Sequence, residues 1–177
     1  MVERLTVIGD ADRAALVALL IDAVADGASV GFLAPLAEAT AEAYWHGVVA
    51  ELGGPARVLL VTRAGGRIVG AVQLALASQP NASHRAEVQK LLVHTSCRRQ
   101  GLGAALMAAA EQAATAAARS LLVLDTRTGD AASRLYERLG YQLAGTIPRY
   151  ARNSSGTLEG TSFYYRHLDP TPATLGG

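Results

Sequence analysis

Two rhythms of apolar and polar residues divide this chain. Apolar side chains recur at helical spacing at Leu16, Val17, Leu20, Ile21 and Val24, and again at Ala41, Tyr44, Trp45, Val48 and Val49. They predict one helix that starts near Asp10 and ends at Gly27, and a second over about 37–52 that Gly53-Gly54-Pro55 stops. Asp10 or Asp12 is the expected cap of the first. Short apolar or alternating runs predict strands at 5–8, 57–62, 68–77, 85–93, 141–146 and 161–167. Ala64-Gly65-Gly66-Arg67 is the expected turn of a hairpin between the second and third. The nearly unbroken apolar run 120–124 reads as a strand buried on both faces. An alanine-rich helix to about 118 precedes it, a helix from about 130 to Leu139 follows, and 148–160 reads as a loop.

The order is therefore β-α-α-β-β-β-α-β-α-β-β. The hairpin demands antiparallel pairing, while the strand-helix-strand unit from Glu87 to Leu124 demands a parallel neighbour. A mixed sheet with helices on both faces satisfies both. We expect one domain over 1–168 and a disordered tail over 169–177, where two prolines and two glycines fall within nine residues.

Composition narrows the function classes. With 50% hydrophobic and 18% charged residues, a packed core is expected rather than disorder. A net charge of +1 argues against a general nucleic-acid or membrane-surface partner, so any anion site must be local. The single cysteine, Cys97, excludes an intrachain disulfide and fits a reducing compartment. Without a basic-then-apolar leader or an apolar run of spanning length, a soluble cytoplasmic protein is the expectation.

The candidate anion site is the turn after the 85–93 strand. Arg98-Arg99-Gln100-Gly101-Leu102-Gly103-Ala104 opens a helix, whose first amides lack intrahelical partners and whose dipole favours negative charge. Glycine lets backbone approach an anion closely, and arginines add charge-assisted hydrogen bonds. Taken alone, the same glycines also fit tight packing of a helix on a strand. The spacing is neither a Walker A loop nor a dinucleotide fingerprint.

Leu91-Leu92-Val93 followed by Arg98-Arg99-Gln100-Gly101-Leu102-Gly103-Ala104 resembles the acyl-coenzyme A motif of the GNAT N-acetyltransferases, [Gln/Arg]-x-x-Gly-x-[Gly/Ala]. Ala132-Ser133-Arg134-Leu135-Tyr136-Glu137-Arg138-Leu139-Gly140-Tyr141 is similar to the same family's Ala-x-x-x-Tyr-x-x-x-Gly-[Phe/Tyr] helix. Within the family, residues 27–32, 85–91 and 122–126 look most like the tabtoxin resistance acetyltransferases, which act on the α-amino group of an amino-acid-like toxin. The resemblance implies a mixed, mostly antiparallel sheet of about seven strands with a splayed parallel pair.

It also implies acetyl-CoA as cosubstrate, with no metal. By the same resemblance, Leu91, Leu92 and Val93 would hold the pantetheine arm, and Arg98 through Ala104 the pyrophosphate. Asp130 and Ser133 would meet the arm from the other side. Val93 would give an oxyanion-binding N–H, and Tyr136 would be the general acid for the departing thiolate. Phe32, Trp45 and Tyr150 would wall the acceptor pocket. Many members carry Asn where this chain has Gly129, so one cofactor contact is missing or supplied by a neighbour.

Transfer to an amine needs a proton acceptor, a stabilised oxyanion and a proton donor for the thiolate. Glu87, four residues before Leu91, stands where several family members keep a general-base glutamate, and strand alternation puts it on one face with Gln89, Leu91 and Val93. A solvated strand carboxylate is the alternative. Asp125, ending the 120–124 run, could bind the substrate ammonium, share the base role, or cap the loop that follows. Tyr136 could equally fill the core.

Cys97 lies beside two arginines but lacks a paired base in sequence, and the four histidines show no metal spacing. The expected activity is N-acetylation of a primary amine on a small molecule, such as an amino-acid-like toxin or antibiotic. The rivals are a protein or peptide N-acetyltransferase and a non-catalytic acyl-CoA-binding module. Both a monomer and a homodimer fit, the latter through an edge strand.

Overall fold

Alternating burial along the strands and one-sided burial along the helices build a sheet sandwiched between two helix pairs. The structure, a computed structural model, describes residues 1–168; the expected tail at 169–177 lies outside them. The elements are β1 (Val2–Leu5), α1 (Asp10–Ala25), α2 (Glu38–Glu51), β2 (Arg57–Ala64), β3 (Arg67–Leu76), β4 (Arg85–Val93), α3 (Leu102–Ala116), β5 (Leu121–Arg127), α4 (Ala131–Arg138), β6 (Gln142–Arg152) and β7 (Leu158–His167), with two single-turn 3-10 helices flanking β4. The seven strands lie in the order β1-β2-β3-β4-β5-β7-β6, and only β4 and β5 run parallel.

Each face of the sheet has its own core. Leu16, Leu19, Leu20, Ala41 and Trp45 of α1 and α2 pack on Leu59, Val61, Ala71 and Leu92. On the other face Leu106, Met107 and Ala110 of α3 and Tyr136 of α4 pack on Leu60, Val72, Val88, Leu122 and Leu124. The chain leaves α1 through Gly27 (φ 85°), with Gly27 N–H donating to the Val24 carbonyl and Ala28 N–H to that of Ala23. That pair of bonds is a Schellman ending, and it needs the left-handed residue that glycine supplies.

Several sequence expectations shift. The first strand is Val2–Leu5 rather than 5–8: Val2 to Leu5 pair with Thr62 to Leu59, and Ile8 plugs the core from the turn that follows. A short apolar run fixes no register by itself; the β2 edge does. Neither Asp10 nor Asp12 caps α1, whose N-cap is Gly9. Asp12 instead pairs with Arg63 of β2 at 2.6 Å, and that hydrogen bond holds its carboxyl below the usual range. The expected loop at 148–160 is largely strand, since β6 continues to Arg152 through an irregularity between Ile147 and Ala151, and β7 starts at Leu158. Pro148 is tolerated there because β6 is the sheet edge.

The site is positioned by a fault in β4. Lys90 has φ 50°, and the register against β3 slips between Ala71 and Gln73. The extra residue flips the alternation. Ala86 and Val88 face the α3 side, but after the bulge Leu92 joins the α1–α2 core while Leu91 and Val93 pack towards α3. Glu87 and Gln89 therefore do not share a face with Leu91 and Val93, as strict alternation predicts. Parallel pairing with β5 lasts for only three positions, Arg85↔Leu121, Ala86↔Leu122 and Glu87↔Val123. Beyond Glu87 the two strands part and leave a gap in the middle of the sheet.

Candidate active site

Backbone polarity of β4 is the first feature of the gap. His94 N–H donates to the Val69 carbonyl, so the His94/Val69 position is a hydrogen-bonded pair and the neighbouring Val93/Gly70 position is not. The N–H and C=O of Val93 consequently point away from β3 into the gap, and by the same alternation so do those of Leu91. No strand pairs with them there. An extended, amide-bearing chain laid in the gap would complete the sheet.

A cleft of about 550 Å³ continues from the gap, between the turn after β4 and the start of α4. Leu91, Leu92, Val93, Arg98, Arg99, Gly101, Leu102, Gly103, Ala104 and Asp130 all line it. Gln100, fully in the turn, does not. Among the described residues the amides of 100–104 find no backbone carbonyl to donate to, and Gly101, the α3 N-cap, offers no side-chain cap. An anion is the natural partner for such a turn.

The two glycines do separate work. Gly101 adopts φ 78°, which other residues enter at a cost. Gly103 lies where a Cβ would meet Leu135 Cδ2 at 3.2 Å, so its bare backbone seats α3 against α4. The helix-packing reading of this turn is met at Gly103, while Gly101 supplies the left-handed turn that opens α3. The Arg98 guanidinium is joined to the Asp26 carboxylate just past α1, and its Nε lies 3.3 Å from the Val93 carbonyl.

Asp130 and Ser133 are turned largely on each other. Asp130 is the α4 N-cap: it accepts from the Ser133 amide at 3.0 Å and the Thr126 hydroxyl at 2.9 Å. Ser133 is buried and stays off the cleft wall. Helix capping thus belongs to Asp130 and not to Asp125. Gly129, where family members often carry Asn, makes the preceding turn with φ 80°.

On the α1–α2 side of the gap the charged side chains gather. Glu87 lies beside Val123 in the parallel register, and Asp125 follows two residues on along β5, on the same face. Partial burial and the Glu87 carboxylate push the Asp125 carboxyl above its usual range, against the pull of Lys90. Tyr136, on α4, is buried in the α3-side core between Tyr141 and Tyr164. Burial, then Asp130 and Asp125, raise its hydroxyl pKa well above that of a free phenol, so it remains a proton donor. Glu87 and Asp125 thus lie on one face of the sheet and Tyr136 in the core on the other, and none of the three lines either cavity.

A second cavity, about 460 Å³, adjoins the first through Gly27, Ala28 and Arg127, which line both. The loop after α1 closes one side, with Gly31, Phe32 and Leu33, and the β6–β7 turn closes the other. Phe32 is thus placed in its wall. Tyr150 is exposed, packs edge-on against Phe163, which pairs with Asp125, and does not line the cavity, although its neighbours Ala151 and Arg152 do. Trp45 is fully buried in the α1–α2 core and reaches no cavity. Its expected wall position is corrected, because the helical face that carries it is the core face.

Sequence reasoning missed the residues beneath this cavity. Lys90 Nζ lies 5.9 Å from the Phe32 ring centre and 5.7 Å from that of Tyr44. Arg57 donates to Gln73 Oε1 at 2.8 Å and Gln89 Oε1 at 3.1 Å and pairs with Glu51, and Gln73 Nε2 donates to the Tyr44 hydroxyl at 2.8 Å. This network holds the glutamine next to Glu87. The run Glu87-Val88-Gln89-Lys90-Leu91 carried the signal: two adjacent polar residues in an alternating strand mark a bulge. Among the described residues no group of His, Cys, Asp and Glu is placed to hold a metal ion, and no helix is long and apolar enough to cross a membrane.

A profile of the acetyltransferase (GNAT) family matches residues 31–141, which include β4, the glycine turn, β5 and α4. The chain belongs to the GNAT acetyltransferase family. An uncharacterised N-acetyltransferase from the hisH-hisA intergenic region of Azospirillum brasilense is 34% identical over 128 residues, 71% of this chain and 74% of that one. An L-methionine sulfoximine/L-methionine sulfone acetyltransferase of Pseudomonas aeruginosa is 29% identical over 165 residues, 92% of this chain and 93% of that one. The yncA acetyltransferase of Salmonella typhimurium, solved with its cofactor acetyl-CoA, superposes with a TM-score of 0.77 at 20% identity, covering 98% of this chain and 96% of that one. This GNAT acetyltransferase thus shares its fold with a structure that holds the cofactor, and most of its length with a relative named for small-molecule acetylation.

Proposed function

We propose that this GNAT enzyme moves the acetyl group of acetyl-CoA to the primary amine of a small, amino-acid-like molecule. The observation that carries the reading is the gap between β4 and β5: Val93 backbone that no strand pairs on one wall, the open amides of 100–104 at one end, and Glu87 with Asp125 at the other. The residues fit the cofactor. Leu91 and Val93 backbone would take the pantetheine arm as an added strand, and the 100–104 amides with Arg98 would take the pyrophosphate. Bound there, acetyl-CoA supplies an activated acyl group.

The chain's own residues would do the rest. Glu87 and Asp125 share one face, and the ionised pair attracts an ammonium and accepts its proton, directly or through water. The Val93 N–H, aimed into the gap, would stabilise the oxyanion. The Tyr136 hydroxyl, kept protonated by burial, would give its proton to the departing thiolate.

The cavity of about 460 Å³ suits a small acceptor rather than a folded protein surface. Its wall combines Phe32 with Arg127, Arg152 and Glu159, so it can hold an apolar stem and charges of both signs. The Pseudomonas relative, named for an amino-acid sulfoximine and sulfone, supports the same acceptor class. The test is thiol release from acetyl-CoA across amino acids and their sulfoximines, polyamines and a peptide N-terminus. Amino acids are expected to be turned over with the highest kcat/KM; a preference for the peptide would move the enzyme to the protein-acetylating class, and cofactor binding without any thiol release would make it a binding module.

A further inference from the structure

The chain carries one lysine against fifteen arginines. Arginine supplies the ion pairs with Glu3, Glu51, Asp12, Asp26, Glu111 and Glu159. The lone lysine, Lys90, stands at the β4 bulge with a left-handed backbone that lysine rarely adopts. Such strain concentrates at functional positions.

Its surroundings are those of an acceptor amine. Nζ lies about 6 Å from the ring centres of Phe32 and Tyr44. It is 3.6 Å from where a Cβ would stand on Gly31, whose backbone lines the acceptor cavity. Among the described residues no carboxylate is within salt-bridge distance, yet Glu87 and Asp125 are near enough to act on its charge. Burial, helped by Arg57, lowers the Lys90 pKa against those two carboxylates, which enlarges the nucleophilic neutral fraction. The residue after it, Leu91, already lines the cofactor cleft.

We propose that Lys90 is itself an acetyl acceptor, so that with acetyl-CoA bound and no external amine the enzyme acetylates its own acceptor pocket. The inference rests on the cofactor assignment made above. The ammonium proton passes to Glu87 or Asp125 and on to water. The neutral Nζ then forms a bond to the acetyl carbon, the carbon–sulfur bond breaks, and the coenzyme leaves as the thiol after taking one proton. The product is an amide, which the forward reaction does not reverse. It replaces a cation under Phe32 and Tyr44 with a bulkier neutral group, so the modified enzyme accepts external amines poorly. Acetyl-CoA supply without substrate thereby silences the enzyme, a form of control built from its own chemistry.

The full-length protein incubated with acetyl-CoA and no amine tests this by intact mass and by mapping the peptide that carries residue 90. One acetyl group is expected, on Lys90 and not on the N-terminal amine. Lys90→Arg should abolish it, and Glu87→Gln should slow it at least ~10-fold, as loss of a general base does. Acetyl-CoA binding to Lys90→Arg, read by calorimetry, should persist. Wild-type protein that binds acetyl-CoA yet stays unmodified at Lys90 would overturn the proposal while leaving the cofactor assignment intact. Modification at the same rate after heat unfolding would overturn it too, since that is plain solution reactivity. Absence of any acetyl-CoA binding would overturn both.

Discussion

Asp125 is the residue where stability and chemistry conflict most openly. Its carboxyl is pushed up by partial burial and by Glu87. The folded state therefore holds the Asp125 proton more tightly than the unfolded chain does. The stability this confers is full below the unfolded carboxylate pKa and is lost as pH rises through the raised folded value. At neutral pH the ionised carboxylate is a burden that the fold tolerates for function. Asp125→Asn should accordingly raise the melting temperature near pH 7, with the advantage vanishing as pH falls below about 4, while lowering turnover. Thermal melts of the two proteins across pH check the sign. Glu87→Gln and Tyr136→Phe probe proton transfer: each should cut kcat by roughly 10²–10⁴, the usual yield of a positioned acid or base, with KM for acetyl-CoA little changed. Steady-state kinetics on both variants would separate the base from the acid, and unchanged turnover in Tyr136→Phe would leave that tyrosine a core residue.

At the scale of elements, the proposed cofactor site makes the turn between β4 and α3 the place to test acetyl-CoA affinity. Arg98 is tied to Asp26 past the end of α1, and the same guanidinium is wanted by a pyrophosphate. Removing the competitor by Asp26→Asn should tighten acetyl-CoA by about two- to fivefold, the worth of an exposed ion pair; calorimetry would show it. Gly101→Ala should cost about 1–2 kcal/mol of stability, since the left-handed conformation is strained for alanine, and should weaken acetyl-CoA as well. Gly103→Ala tests packing instead, because its Cβ would press Leu135. Such element-level facts were partly legible in sequence. The order of strands and helices was, because periodicity and the Gly65-Gly66 hairpin turn report local preference. The reach of β6 and β7 through 148–160 was not: Pro148, Gly156 and polar residues favour a loop locally, and only pairing along the sheet edge makes them strand.

The whole molecule explains what the sequence could not reveal about the site. That the glycine turn and Asp125 follow the carboxyl ends of the parallel strands was readable from strand ends and a helix start, whereas Glu87, near the start of β4, was singled out only by the family resemblance. The faces were not readable. A one-residue bulge at Lys90 reverses the alternation beyond it, so Leu91 and Val93 turn away from Glu87 and the Val93 backbone, unpaired by any strand on that side, faces the gap. Trp45 was misplaced for a related reason, as a helix face shows burial but not what buries it. Two helix layers, one sheet and one interrupted parallel pair bring two cavities side by side, with a common wall of Gly27, Ala28 and Arg127; the proposed transfer would run between them. The most direct measurement is mass-spectrometric detection of product from acetyl-CoA and L-methionine sulfoximine with wild-type enzyme. The α-N-acetylated amino acid formed at a rate that collapses in Glu87→Gln is the predicted result. Tight acetyl-CoA binding with no acetylated product, from this or any other small amine, would contradict it.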